Sequence, residues 1–152
     1  MIQQQLEAHG LYWDGVVVYQ STRIEHYRAA LATLAQQGQL FACTCTRALL
    51  ASQSLAGPDG PVYAGTCRQN TVSSVPARQA LRFRVEDGPW SWTDAIHGSI
   101  TRIRPHECGD FVVRRADGQI VYHLACALDE HDMGITNVVR GDDLLGSTTQ
   151  QL

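Results

Sequence analysis

The chain has 152 residues, 44% of them apolar, and a formal charge of −3. That length suits one domain or one large part of a bigger one, and the charge excludes a protein that coats nucleic acid through charge alone. No apolar run approaches the roughly 20 residues of a membrane helix, and Met1 to Glu7 has neither the basic nor the apolar region of a secretory leader.

All 12 basic residues are arginine. Chemistry that needs a Schiff-base or phosphate-binding lysine is therefore excluded from this stretch, while planar two-point recognition of carboxylates or phosphates is well supplied. The 5 cysteines are an odd number. Cys43-Thr-Cys45 is too tight for an ordinary disulfide, so reduced cytosolic thiols or a metal site are expected.

Ile2 to Ala8 reads as the tail of a helix stopped at Gly10. Val16-Val-Val-Tyr19 reads as a short buried strand. Thr22 and Glu25 have the spacing of a capping box. Ile24, Tyr27, Leu31 and Leu34 then form one helical stripe that Gly38 closes. Leu40 to Cys43 is a strand, and Thr46 can N-cap a brief helix over 47–52. Ala56 to Pro61 reads as a flexible loop, and 69–78 as a polar surface connection. In 80–85, Leu81, Phe83 and Val85 alternate with Arg82 and Arg84, the pattern of a half-buried strand. Trp90 to Asp94, Gly98 and Ile100 to Ile103 suggest a hairpin. Trp13, Trp90 and Trp92 are most simply anchors of a core.

From Asp110 the pattern is more informative. Phe111 to Val113 is a short strand and Ala116-Asp117-Gly118 a turn. Val121, Leu124, Ala125 and Leu128 recur at helical spacing, and Gly134 ends that helix. Ile135 to Val139 is apolar and β-branched and opens into Arg140-Gly141-Asp142-Asp143. A buried parallel strand that delivers polar residues at its end is where α/β sheets bind ligands. Ser147 can cap the next helix.

Two constellations carry chemistry. Cys43, Cys45 and Cys67 have the residue type and return spacing for zinc, which structural sites close with four protein ligands. Chemistry alone makes His106 or Cys108 the natural fourth ligand, and the alternative is three free thiols in a small core. Arg140, at a strand end, can hold a carboxylate in a bidentate fork, with Tyr122 presenting its hydroxyl to the same pocket. The structural alternative pairs Arg140 with Asp142 or Asp143 and leaves Tyr122 as a core aromatic. Asp129-Glu130-His131-Asp132 reads as a solvated helix end.

Several of these stretches together resemble a known family. They are Gly10-Leu-Tyr-Trp-Asp-Gly15, Tyr19-Gln-Ser21 followed by Arg23, Cys43-x-Cys45 with Tyr63-x3-Cys67, Asp110 to Gly118, Tyr122-His-Leu-Ala125, Gly134-Ile-Thr136 and Val138 to Leu145. The resemblance is to the catalytic domain of class I glutamyl-type aminoacyl-tRNA synthetases. It is strongest to their short glutamyl-Q tRNA(Asp) type, which lacks the extra residues other members carry between Gly15 and Tyr19. It implies an α/β fold: a partial Rossmann-like catalytic domain over 1–39 and 110–152, with a zinc-bearing insertion of short strands and loops over 40–109. It implies Cys43, Cys45, Tyr63 and Cys67 as zinc ligands, and Tyr122 and Arg140 as contacts to a glutamate substrate. His123 stands where the family more often has Gln or Asn.

The implied reaction is ATP-dependent activation of glutamate in the cytoplasm, followed by glutamyl transfer to queuosine of tRNA(Asp). An ordinary glutamyl-tRNA synthetase and a non-catalytic zinc- or tRNA-binding relic are the alternatives. The family's ATP-holding H-x-G-H signature and its lysine-bearing loop have no counterpart in these residues. The 152 residues are thus expected to be an internal part of the catalytic domain, inactive alone and prone to association.

Overall fold

The computed structural model describes residues 2–152. Its centre is a three-stranded antiparallel sheet ordered β1–β4–β7, formed by Leu40–Cys43, Ala80–Phe83 and Phe111–Arg114. Helices α2 (Ile24–Gln36) and α4 (Tyr122–Asp132) contribute to a core on one face of it. Two two-stranded hairpins flank the sheet: β2 (Leu55–Gly57) with β3 (Gly60–Val62), and β5 (Gly88–Asp94) with β6 (Gly98–Arg104). Helices α1 (Ile2–Ala8), α3 (Arg47–Gln53) and α5 (Thr148–Gln151) are short. Among the described residues no helix is long and apolar enough to cross a membrane.

The register explains the two sides of the sheet. Leu40 pairs with Phe83 and Ala42 with Leu81, while Phe41 pairs with Arg82, which in turn pairs with Val112. Side chains alternate between faces along a strand. Leu40, Leu81 and Val113 therefore pack with Leu31 and Ala35 of α2 and Leu124 of α4. Phe41 and Cys43 instead join Tyr63 and Cys67 in a second core. The expected half-buried strand over 80–85 is accordingly corrected: Arg82 is only 7% exposed, because β4 separates two cores rather than a core from solvent.

The α2 stripe forms as expected, with Tyr27 and Leu31 buried and Gly38 closing the helix at φ +72°. The capping box does not form. Residues 20–22 take a 3₁₀ turn, Arg23 becomes the N-cap, and Thr22 Oγ1 donates instead to the Tyr19 carbonyl at 2.7 Å. Thr46 does cap α3, accepting from Leu49 N at 3.2 Å. The expected loop at 56–61 is a hairpin that turns at Pro58-Asp59, and Gly60, which opens β3 opposite Gly57, has φ +121°. Ser147 precedes α5 without a side-chain cap.

Two expected strands are absent, the short buried one at 16–19 and the parallel one at 135–139. Val16 is 90% exposed and Val139 100% exposed, and neither 16–19 nor 135–139 is a strand. Every strand pairing among the described residues is antiparallel. A β-branched run becomes a strand only when a neighbour completes its ladder of N–H and C=O groups, and these two runs have no such neighbour among the described residues. The expected segments 40–109 and 110–152 share one sheet, since β1 and β4 come from the first and β7 from the second.

Candidate functional site

Four polar side chains converge where β1 ends. Cys43 is the last residue of β1, and Cys45 follows just before the cap of α3. Tyr63 leaves β3, and Cys67 sits in the turn closed by Arg68 N donating to the Gly65 carbonyl at 2.8 Å. The sulfurs of Cys43, Cys45 and Cys67 all lie within 4.8 Å of one another. Cys45 and Cys67 are 3.5 Å apart, and the Tyr63 hydroxyl is 3.7 Å from both Cys43 and Cys45. Zinc–sulfur bonds of about 2.3 Å in a tetrahedron imply sulfur separations near 3.8 Å, so this donor set fits a zinc ion. Neither His106 nor Cys108 belongs to the thiol cluster. Cys108 instead lines a neighbouring cleft, so the fourth donor that the fold brings to the cluster is Tyr63.

The electrostatics of the four donors differ. Burial pushes the Cys45 thiol up and the Tyr63 phenol well above its ordinary range. Burial also pushes Cys67 up. The backbone hydrogen bond at Thr44, together with Tyr63 and Cys45, outweighs that effect and brings the thiol down to about 6. Thiolates are the form that binds metal. The Tyr63 oxygen also accepts from Cys67 N at 2.7 Å, and the Arg82 guanidinium lies 3.9 Å above the Tyr63 ring centre.

A cleft of about 630 Å³ adjoins this cluster. It runs from Tyr63 and Arg82 past Glu107 and His123 to Asp143 and Gln150. Tyr122 opens α4 and is exposed. Arg140 follows the exposed 135–139 segment. Its Nη1 donates to Gln151 Oε1 and its Nη2 to Thr148 Oγ1, so it is held by α5 rather than by Asp142 or Asp143. Asp142 pairs instead with His97 Nε2 at 2.7 Å. A hydrogen bond with Cys126 raises the Tyr122 phenol, while the Arg140 charge opposes that shift. Burial lowers His123, and the same Arg140 charge lowers it further.

The family model for the catalytic domain of class I tRNA synthetases (E and Q) matches residues 1–152. The chain belongs to this family. The glutamyl-Q tRNA(Asp) synthetase of Chromobacterium violaceum is 46% identical over 151 residues, which cover 99% of this chain and 50% of that protein. That of Thiobacillus denitrificans is 44% identical over 152 residues, with 50% of its length covered. The chain thus spans about half the length of these curated relatives. A glutamate tRNA ligase from Elizabethkingia meningosepticum, crystallised with its amino acid, has a TM-score of 0.74 at 22% identity and covers 99% of this chain. At that identity the likeness is one of fold.

Within this class I synthetase domain, two buried polar groups, Asp129 and Arg82, are not placed as buried by sequence reasoning. Asp129 was expected at a solvated helix end, but it is 7% exposed. Its carboxylate accepts from Arg23 Nε at 2.7 Å, from Gln20 Nε2 at 2.9 Å and from the Tyr27 hydroxyl at 2.9 and 2.8 Å. It thereby ties α2 and the turn before it to α4. The signal was present, because Asp129 lies four residues after Ala125 and so falls on the buried stripe of α4. Arg82 was missed for the reason given by the sheet register.

Proposed function

We propose that this chain is part of a glutamyl-Q tRNA(Asp) synthetase, which activates glutamate with ATP and transfers the glutamyl group to queuosine of tRNA(Asp) in the cytoplasm. The observation that carries this reading is the 41–46% identity, along nearly the whole chain, to curated proteins of that name. The segments 1–39 and 110–152 are taken as Rossmann-like parts and 40–109 as the zinc-bearing insertion.

Tyr122 and Arg140 are proposed as the glutamate contacts. Arg140 is oriented by Gln151 and Thr148, which hold a planar guanidinium in place before a carboxylate arrives. Pre-organisation of this kind lowers the entropic cost of binding. Cys43, Cys45, Tyr63 and Cys67 are proposed to hold one zinc ion. When bound, it cross-links β1 to the 63–67 turn, a folding role typical of closed four-ligand sites.

The test uses the complete reading frame. Glutamate-dependent pyrophosphate exchange is expected, followed by glutamyl transfer only to tRNA(Asp) that contains queuosine. Transfer to tRNA(Glu) instead would establish the ordinary glutamyl-tRNA synthetase. The 152-residue polypeptide, which has no lysine, is expected to show no exchange by itself. Exchange above background with that polypeptide would overturn this last expectation.

A further inference from the structure

Arg82 is a buried cation without an anion. It is 7% exposed. Its Nη1 donates to the Asp110 carbonyl at 2.9 Å, and its Nε has no partner. Among the described residues it forms no ion pair. The adjacent Asp110 carboxylate is taken, accepting from Arg68 Nη1 at 2.7 Å and Val85 N at 2.9 Å. A buried charge is costly to keep unless another charge offsets it. Arg82 instead sits over the Tyr63 ring, its guanidinium carbon 3.9 Å from the ring centre, a cation–π arrangement. The hydroxyl of that ring is 3.7 Å from the sulfurs of Cys43 and Cys45, which cluster with that of Cys67.

We propose that Arg82 is the counter-charge of the metal centre: its guanidinium, stacked on Tyr63, offsets the negative charge that three thiolates and a tyrosine oxygen bring to one zinc ion. This rests on the zinc reading above. Three thiolates alone outweigh the charge of Zn²⁺, so the loaded centre is an anion in a buried setting. Water cannot screen it there, and a fixed cation at close range takes that part. The arrangement also explains why β4 carries an arginine at a position facing a core. Arg rather than Lys suits the place, because a planar guanidinium can stack on an aromatic face while one edge donates to a carbonyl. Arg82 also lines the cleft, so the metal centre and any ligand in the cleft share one cation.

The test measures zinc affinity by competition with a chromogenic chelator, and melting with zinc and with excess chelator. The wild type is compared with Arg82→Met, Arg82→Lys and Arg114→Gln. Arg114 serves as the control because it donates to the carbonyls of Pro76, Ala77 and Gln79 and does not touch the cluster. Arg82→Met is expected to lose zinc affinity by about 10–100-fold, the range for residues that support metal ligands. It should lose much of the zinc-dependent rise in melting temperature, while Arg82→Lys keeps most of the affinity. Unchanged affinity in Arg82→Met overturns the proposal. So does a loss of stability that is equal with zinc and with chelator, or an equal loss of affinity in Arg114→Gln. If Arg82→Met does not fold, the lysine variant decides: retained affinity supports the counter-charge role, and a loss of about tenfold or more overturns it. A wild-type chain that binds no zinc instead removes the zinc reading itself.

Discussion

Tyr63 and Arg140 carry the sharpest residue-level expectations. The Tyr63 oxygen is 3.7 Å from two of the three sulfurs, so Tyr63→Phe removes one donor and leaves the other three in place. The expected result is zinc that still binds but with weaker affinity, read by chelator competition. Unchanged affinity would mean that the fourth ligand is something other than the phenol. Arg140 is held by two uncharged partners, Gln151 and Thr148. Its charge therefore stays available to a carboxylate. In the complete enzyme, Arg140→Lys is expected to weaken glutamate use by about 1.5–3 kcal/mol, the range for a hydrogen bond to a charged group. Folding should change little, because a lysine can still reach one of the two partners. An unaltered Michaelis constant and turnover for glutamate would exclude the substrate role.

Among the elements, the β2–β3 hairpin is tied to β6 by one ion pair. Arg102 donates from Nε and Nη2 to the two oxygens of Asp59, at 2.7 and 2.9 Å. This fork is the strongest geometry available to a carboxylate. The Arg102 hydrogen bonds hold the Asp59 carboxyl below its ordinary value of 3.8 against the opposing effect of burial. A carboxylate with a depressed folded-state pKa adds stability above its unfolded pKa, and that stability is lost as pH falls through the folded value. Denaturant midpoints should therefore drop on acidification below about pH 4. In Asp59→Asn that acid-side fall should be shallower. An identical pH profile in the variant would show that the pair does not contribute. The elements also show how much was legible locally. Helix α2, strand β1, the cap at Thr46 and the β5–β6 hairpin follow from periodicity and turn residues, which are local properties. The capping box failed because a 3₁₀ turn displaced the helix start by one residue, from Thr22 to Arg23 as N-cap, and such a shift is decided by packing against α4 through Gln20 and Arg23.

At the scale of the molecule, apolar side chains remain in the open. Val16 and Val139 are almost fully exposed, and Ile135 and Val138 are about half exposed. Contiguous exposed apolar surface drives association. The 152-residue polypeptide is expected to elute from size exclusion as more than a monomer at micromolar concentration. Replacing Val16 and Val139 together with Lys should shift it toward the monomer. A monomeric wild type would show that these runs are covered in some other way.

The chain's own residue pattern determined its family, the helical stripes, the short strands and the thiol cluster with its return spacing. These depend on side-chain type and on separations along the chain, and both are explicit in the sequence. Tertiary structure alone decided three things. It set the Tyr63 hydroxyl 3.7 Å from two of the sulfurs, a placement that the family resemblance implied and that side-chain chemistry alone did not, because the β2–β3 hairpin sets where residue 63 emerges. It buried Arg82 and Asp129, because burial depends on what covers a face and not on the residue that occupies it. It left Val16–Tyr19 and Ile135–Val139 unpaired, because a strand is completed by hydrogen bonds from a neighbour, and the neighbour is not written in the strand's own residues.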